Sequence, residues 1–347
     1  MHNPLTDLLQ INVPVIAAPM AGISGPGVAA AVAKAGDLGL IGAGYIEPDR
    51  LTSIYNAALQ QLSSTAEADG AVGVGLNNFA CSQLSLQELL QTIIDFKPRA
   101  IWLSFGGWED LAVPIKKAGI KLICQIQHLE QVEPALRAGA DIIVGQGSEA
   151  GGHGASPASL LTLIPELVDH VERVCLKLGI RPAVPVAAAG GITDARQMAA
   201  AFALGASGIV LGTRLCATHE SLLLEAKKPA LVEAGYSSSC NPSTLRTTLY
   251  DELGTVPWPL QIDGRCLTNQ FTAVYSGQTP LQDKVKKHAK EECDQANAHK
   301  LVKKQVVWCG SGVGLIHSIE HAEDLVNNFV KETVLLCQRN SAFAENT

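Results

Sequence analysis

The feature that most constrains the fold is a repeat that runs from residue 14 to residue 212, in which a short apolar run precedes a longer amphipathic one. Short β-branched runs of this kind predict strands buried on both faces, and amphipathic runs predict the helices that cover them. The predicted strands are 14–20, 39–42, 71–76, 100–105, 121–126, 141–144, 184–189 and 208–212. The predicted helices are 27–35, 50–62, 86–96, 109–118, 129–138, 160–178 and 195–204, with an eighth at 220–234.

This strict alternation implies parallel strands joined by right-handed crossovers. Eight such units predict an α/β fold whose sheet closes into a (β/α)8 TIM barrel. An open doubly wound sheet is the alternative, because periodicity does not show whether the edges meet. Four helices end in Ala-Gly or Leu-Gly before the next strand, and a left-handed helix cap is expected at each of Gly36, Gly119, Gly139 and Gly205. The longer loops then lie at the carboxyl ends of the strands, where barrel active sites are found.

The repeat stops after Gly235, where Pro, Ser and aromatic residues follow without a clear period. The charged stretch 279–302 is typical of a solvated helix, 305–316 predicts a strand and a Gly-rich turn, and 320–337 predicts a helix. We therefore predict three parts. They are a barrel core at 1–234, an irregular and helical excursion or lid at 235–304, and a strand-turn-helix segment at 305–347 that packs back on the barrel.

One loop concentrates candidate chemistry. The predicted sixth strand is followed by the Gly-rich segment EAGGHG, from which the imidazole of His153 projects. A histidine on a loop at the carboxyl end of a buried strand is placed for proton transfer. A histidine that only hydrogen-bonds its own loop is the alternative.

Two consecutive turns have the composition of a phosphate site. Gly190 and Gly191 follow the seventh strand, and Gly212 and Thr213 follow the eighth. Barrels often hold phosphate at these two turns, where backbone N–H groups and a helix N-terminus converge. Thr193 and Asp194 are expected to cap the next helix. Glycines that only tighten two βα turns are the alternative.

Further residues are expected around the barrel mouth. The first strand ends in Pro19, Met20 and Ala21, a turn that could lie flat against an aromatic ring. Gly75, Gln125 and Gln146 end other strands, and the two amides could both donate to and accept from the edge of a heterocycle. No metal site is predicted, because His317 and His321 lack an HExxH context. GSGVGL at Gly310 does not have the spacing of a dinucleotide-binding turn.

Charge and cysteine content exclude some classes of partner. The net charge of −7 argues against a nucleic-acid-binding protein or one that binds acidic membrane surfaces. The nine cysteines form no C-x-x-C pair and are interpreted as reduced thiols of a cytoplasmic protein. Neither a secretory signal nor an apolar run long enough to span a bilayer is visible. A homodimer is compatible with the sequence.

Taken together, the segments PVIAAPMAG, GVGL, EAGGHG, PVAAAGGI and LGTR resemble the nitronate monooxygenases, formerly called 2-nitropropane dioxygenases. The resemblance spans residues 14 to about 218, and the last third agrees only loosely, chiefly at VWCGSGVGLI. It implies non-covalent FMN with its phosphate at Gly190, Gly191, Gly212 and Thr213. The flavin ring would then lie near Met20, Ala21, Gly75, Gln125, Gln146 and Gly151, with Pro19 beside it, and His153 would match the catalytic histidine.

The resemblance also implies a reaction. A base beside the flavin removes the acidic α-proton of a nitroalkane, the nitronate gives an electron to FMN, and O2 completes the conversion to a carbonyl compound and nitrite. Two positions depart from the family: bacterial members often have Asn at the position of Gly75 and Gln at that of Val210. These departures concern the substrate, alkyl nitronate or nitroalkane, more than the cofactor. Two alternatives remain, namely an FMN-dependent NAD(P)H reductase of enoyl thioesters or quinones on the same scaffold, and a phosphate-ligand binding barrel without turnover.

Overall fold

The computed structural model describes residues 3–44, 46–62, 71–77, 83–155, 157–235, 243–256, 258–259 and 261–344. Its main sheet has eight strands, all parallel, in the spatial order β1-β9-β8-β6-β5-β4-β3-β2. They are β1 (Val15–Ala17), β2 (Gly39–Gly42), β3 (Val72–Asn77), β4 (Ala100–Ser104), β5 (Lys121–Ile126), β6 (Ile142–Gln146), β8 (Val186–Ala189) and β9 (Gly208–Leu211). Every predicted barrel strand is present, with bounds shifted by a few residues.

The two edges of this sheet meet. Ile16 of β1 forms a parallel bridge with Leu38, just before β2, and the N–H of Ala17 donates to the carbonyl of Leu38 at 2.9 Å. The sheet is therefore a (β/α)8 TIM barrel, and the open doubly wound alternative is wrong. A short helix that the periodicity does not predict, α1 (Pro4–Leu9), buries Leu5 and Leu9 in the cluster of side chains inside the barrel.

Seven helices follow the first seven barrel strands as predicted. They are α2 (Pro26–Lys34), α3 (Pro48–Leu62), α4 (Gln83–Asp95), α5 (Glu109–Lys117), α6 (Val132–Arg137), α7 (Leu160–Leu178) and α8 (Ala195–Ala203). The predicted caps are confirmed, because Gly36, Gly119, Gly139 and Gly205 all have φ between 72° and 96°. These tight helix ends leave the longer connections at the carboxyl ends of the strands.

The predicted eighth helix at 220–234 is wrong in extent. Only α9 (Thr213–Cys216), a 3-10 turn (Glu225–Lys227) and α10 (Lys228–Glu233) form there, and Pro229 in the first turn of α10 fixes where that helix starts. The last helix, α14 (Ala322–Ala344), packs instead against α8 and α2. It therefore occupies the place of the eighth barrel helix, and the residues between β9 and α14 form an insertion within the last βα unit.

The insertion is more regular than predicted. It contains β10 (Thr244–Thr247), α11 (Leu249–Leu253), β11 (Asp263–Leu267), α12 (Gln270–Tyr275) and α13 (Asp283–Ala298). The last of these is the predicted solvated helix, and among its side chains only Ala289 and Ala296 are buried. The boundaries at 234/235 and 304/305 stay a prediction, since the fold joins these segments into one packed body around the mouth.

A second, three-stranded antiparallel sheet has the order β10-β11-β7, where β7 (Gly152–Gly154) belongs to the loop after β6. The strand predicted at the start of 305–316 is wrong, whereas the Gly-rich turn predicted after it is present. Residues 307–309 are extended but make a single bridge, Cys266 to Trp308, before a 3-10 turn at Ser311–Leu315. The reason is that β7 already pairs with residues 263–265 on that side of β11. This sheet connects the insertion to the barrel mouth.

Candidate active site

The carboxyl ends of the barrel strands surround a cavity of about 320 Å³. This size is in the range of small-molecule sites. All twelve residues that the sequence analysis singles out line this one cavity: Pro19, Met20, Ala21, Gly75, Gln125, Gln146, Gly151, His153, Gly190, Gly191, Gly212 and Thr213. The geometry therefore gathers the candidates in one place, although they come from loops far apart in the chain.

One end of the cavity, which we call the glycine end, is made of backbone. Gly190 and Gly191 have φ of 118° and 70°, a region that favours glycine. A Cβ on Gly191 would lie 2.9 Å from Cβ of Glu149. Gly212 is more open, with Cβ of Ala18 at 3.7 Å from a Cβ built there. The main chain thus forms the surface of the cavity at this end.

A third turn, which sequence reasoning missed, joins the glycine end. Gly310 and Gly312 line the cavity, and the N–H of Gly310 donates to Oγ1 of Thr213 at 2.8 Å. A Cβ on Gly312 would lie 2.5 Å from the carbonyl oxygen of Gly191. The segment GSGVGL contains these glycines, but their spacing in the sequence does not mark a turn of this kind. Asp194 is the helix cap as predicted, whereas the hydroxyl of Thr193 lies 3.2 Å from the carbonyl oxygen of Gly312.

A flat wall runs along the middle of the cavity. Pro19, Met20 and Ala21 lie there, and a Cβ on Gly75 would be 2.2 Å from Cβ of Pro19. No side chain fits at position 75 while Pro19 stays in place. Cys216 lies behind Met20, with Sγ 3.6 Å from Sδ. Burial raises the pKa of the Cys216 thiol to about 12, so it is a neutral thiol and not a nucleophile.

Two amides are held at fixed orientations in the same wall. Oε1 of Gln125 accepts a hydrogen bond from Oγ of Ser104 at 2.9 Å. The Ser104 oxygen in turn accepts one from Nε1 of Trp102 at 2.8 Å. The part of Gln125 left for a ligand is therefore its NH2 group. Gln146 accepts from Nε2 of Gln127 at 3.2 Å and donates to the carbonyl of His153 at 3.3 Å. Gln146 thus ties the barrel strand to the histidine segment.

The opposite end of the cavity, which we call the imidazole end, is made of side chains. His153 is not on an irregular loop as predicted but in β7, opposite Gly264 of β11. Its side chain is 17% exposed, and its Nε2 lies 2.7 Å from Oδ1 of Asp251. The imidazole stacks on the indole of Trp258, with ring centroids 3.8 Å apart and planes 6° from parallel. The alternative that His153 only binds its own loop is therefore wrong, because its partners belong to the insertion.

Further aromatic rings enclose this end. Trp308 lies 5.1 Å from the imidazole, and Phe105 meets Trp258 edge-on at 5.2 Å. Phe105 has φ of 69°, which is uncommon for a bulky residue and marks a strained position. Sequence reasoning missed Asp251, Trp258, Trp308 and Phe105. Phe105 ends a predicted strand, and the other three lie after Gly235, where no pattern in the sequence places them.

Two arginines attach the insertion to the histidine segment. Nη2 of Arg246 donates to the carbonyl of Gly154 at 2.6 Å, and Nη2 of Arg265 donates to the carbonyl of Ser148 at 3.0 Å. Both guanidinium groups are partly buried, and burial lowers the pKa of Arg265. Hydrogen bonds from charged donors are among the stronger ones. They fix β10 and β11 against the segment that carries His153.

The described residues hold no other recognisable class of site. No three His, Cys, Asp or Glu side chains there lie close enough to hold a metal ion. The seven cysteines within the described ranges are all unpaired. None of the described helices combines the length and the apolar content needed to cross a bilayer.

Comparisons with known proteins agree with one another. The sequence model of the nitronate monooxygenase family matches residues 2–63 and 76–332, so the match includes the insertion and breaks across 64–75, which ends at Gly75. The nitronate monooxygenase npaC of Metarhizium robertsii is 30% identical over 330 residues, which cover 90% of this chain and 88% of the relative.

Solved structures share the fold over almost the whole chain. FabK from Thermotoga maritima superimposes with a TM-score of 0.78 at 26% identity and covers 99% of both chains. The nitroalkane oxidase from Streptomyces ansochromogenes has a TM-score of 0.78 at 23% identity, with 97% of this chain and 99% of that one covered. The family match over most of the sequence decides the assignment: this chain belongs to the nitronate monooxygenase family, which implies an oxidoreductase.

Proposed function

We propose that the cavity binds FMN and that the protein oxidises alkyl nitronates, and nitroalkanes after deprotonation, with O2 to carbonyl compounds and nitrite. The observation that carries this proposal is the arrangement of one cavity between two unlike ends. The glycine end suits the phosphate tail, and the imidazole end suits a substrate that must lose a proton. The flat wall between them suits the ring system.

The residues present fit FMN. A Cβ at Gly312 or Gly191 would collide with a neighbouring turn, so the glycines let the turns pack closely and leave main chain to line the place for a phosphate. Thr193 and Thr213 add hydroxyl groups there. The wall formed by Pro19, Met20 and Ala21 can contact one face of an isoalloxazine ring, while the amides of Gln125 and Gln146 can bind its polar edge.

When bound, the flavin supplies the electron transfer from nitronate to O2, which no side chain of the cavity provides. The protein supplies position and proton transfer. His153 removes the α-proton of a neutral nitroalkane, and for a nitronate that is already deprotonated the protonated imidazole orients the anion. The aromatic rings around His153 limit access of water and favour a small apolar substrate. A reducing compartment such as the cytoplasm agrees with the unpaired cysteines.

The test is an anaerobic spectrum of the purified protein. We expect a yellow protein that loses its visible absorbance when an alkyl nitronate is added without O2, and that regains it and releases nitrite when O2 is admitted. His153→Asn should slow turnover of a neutral nitroalkane by roughly a hundredfold or more, the range of general-base catalysis. The loss on a preformed nitronate should be much smaller.

Three results would contradict the proposal, each in a different way. Flavin that stays oxidised with nitronates rules out this substrate class. Rapid bleaching by NADH or NADPH favours the reductase alternative. A colourless protein that FMN does not reconstitute favours a binding barrel without turnover.

A further inference from the structure

The partners of His153 all come from outside its own loop. Asp251 lies on α11, Trp258 follows that helix, and Trp308 packs over Gly264, where a Cβ would be 2.3 Å from Cζ3 of the indole. The imidazole is thus held by the insertion on its Nε2 edge and on its faces. We propose that Asp251 is a positioning residue, which holds His153 in the tautomer whose Nδ1 accepts a proton from the substrate.

The tautomer follows from the hydrogen bond. A carboxylate can only accept, so the 2.7 Å contact with Oδ1 of Asp251 requires the proton of a neutral imidazole to lie on Nε2. Nδ1 then carries the lone pair. In the described part of the chain Nδ1 has no hydrogen-bond partner, and the ring lines the cavity. The free nitrogen is therefore the one available to a substrate.

Asp251 also suits the charge that appears when His153 takes a proton. The α-proton moves from the substrate carbon to Nδ1, and the C–H electron pair becomes the C=N bond of the nitronate, whose charge resides on its oxygens. Oδ2 of Asp251 is buried and has no hydrogen-bond partner among the described residues. A buried carboxylate without full solvation is unfavourable, and an adjacent imidazolium offsets that cost. The pair therefore favours the product of proton transfer.

This inference rests on the proposed function. Assays with two substrates distinguish a failure of the inference from a failure of the proposed function. Only a neutral nitroalkane needs the base, whereas a preformed nitronate bypasses it. In Asp251→Asn the amide can donate to Nε2, which places the imidazole proton on Nδ1. We expect kcat for a nitroalkane to fall about a hundredfold or more with KM changed less than about threefold, and kcat for the nitronate to stay within about threefold of wild type.

The matched control is Glu252→Gln on the same helix. Glu252 accepts from Oγ1 of Thr248 at 2.9 Å and from the N–H of Leu281 at 2.7 Å, so it supports α11 without touching the imidazole. If Glu252→Gln weakens the packing of α11, kcat should fall equally for the nitroalkane and for the nitronate. Asp251→Glu keeps the carboxylate and should recover most of the nitroalkane turnover that Asp251→Asn loses.

A readout that does not depend on turnover is the 15N NMR spectrum of labelled histidines, with the His153 signals assigned by their loss in His153→Asn. Wild type should show His153 protonated on Nε2 when neutral, and Asp251→Asn should shift the proton toward Nδ1. An unchanged tautomer, or an equal loss on nitroalkane and nitronate, would overturn the role of Asp251. Wild type that turns over neither substrate would overturn the proposed function, while the NMR result would still decide the tautomer.

Discussion

The two ends of the cavity differ in the atoms that form them. The glycine end is main chain from three turns, at Gly190–Gly191, Gly212 and Gly310–Gly312, and it is defined by the lack of side chains. The imidazole end is made of side chains, and its key contact joins residues 98 apart in sequence. Added atoms at Gly191 or Gly312 should therefore be harmful, whereas at the imidazole end a change in hydrogen bonding should cost more than a change in shape.

This difference also separates affinity from rate. Atoms added at the glycine end should lower the affinity for the flavin and leave the proton transfer of bound enzyme unchanged. Changes at the imidazole end should lower the rate and leave flavin affinity unchanged. In addition to His153→Asn and Asp251→Asn, two further variants test that separation, and a third tests the barrel seam.

The largest of these effects is expected from Gly312→Ala. The new Cβ would lie 2.5 Å from the carbonyl oxygen of Gly191 and 2.8 Å from Oγ1 of Thr193, so the two turns must move apart. Overpacking of this kind costs about 1–3 kcal/mol, which predicts a loss of FMN affinity of roughly ten- to a hundredfold. Fluorescence titration of the flavin-free protein measures it. Gly277→Ala, where a Cβ has nothing within 4 Å, should bind FMN as wild type does.

A smaller effect is expected at the other end from Trp258→Leu. The indole holds one face of the imidazole at 3.8 Å, and such aromatic pairs contribute about 0.5–1.5 kcal/mol beyond burial. We expect nitroalkane kcat to fall about two- to tenfold with FMN affinity unchanged, and Trp258→Phe to recover part of it. Lost flavin affinity in Trp258→Leu would show that the two ends are not separable.

The smallest effect on activity, none at all, is expected from Asp37→Asn beside the barrel seam. Asp37 is fully buried, and neither carboxylate oxygen has a hydrogen-bond partner among the described residues. Burial raises its pKa well above the usual range, so the folded chain keeps a proton that the unfolded chain releases above about pH 4. Stability is therefore lost as pH rises from there through the folded pKa.

Asparagine removes this dependence. The difference in Tm, variant minus wild type, should grow from pH 4 to pH 8 by a few degrees. Asp169→Asn, an exposed carboxyl on α7, should show no such trend. If the difference in Tm between Asp37→Asn and wild type does not change with pH, other groups in the folded chain stabilise the charged form of this carboxyl group. Changed nitroalkane turnover would mean that the barrel seam and the cavity are coupled.

The sequence predicts the barrel, and it places Gly190, Gly191 and Gly212 at the mouth, because both depend on local patterns. Strand and helix periods, and glycines at the ends of strands, need no knowledge of distant residues. The contacts of Asp251 and Trp258 were not predictable, since no spacing marks a hydrogen bond or a stack formed across an insertion. The strand predicted at 305–316 failed for a related reason: its partner edge on β11 is already shared with β7.

The placement of α14 bears on the order in which the molecule is completed. The groove between α2 and α8 is covered by a helix that ribosomes make only after residues 217–321 have emerged. A nascent chain that has finished all eight barrel strands therefore still exposes an apolar groove on its outer ring until the insertion is complete. Both the helix that covers this groove and the carboxylate that binds His153 are thus made after the last barrel strand.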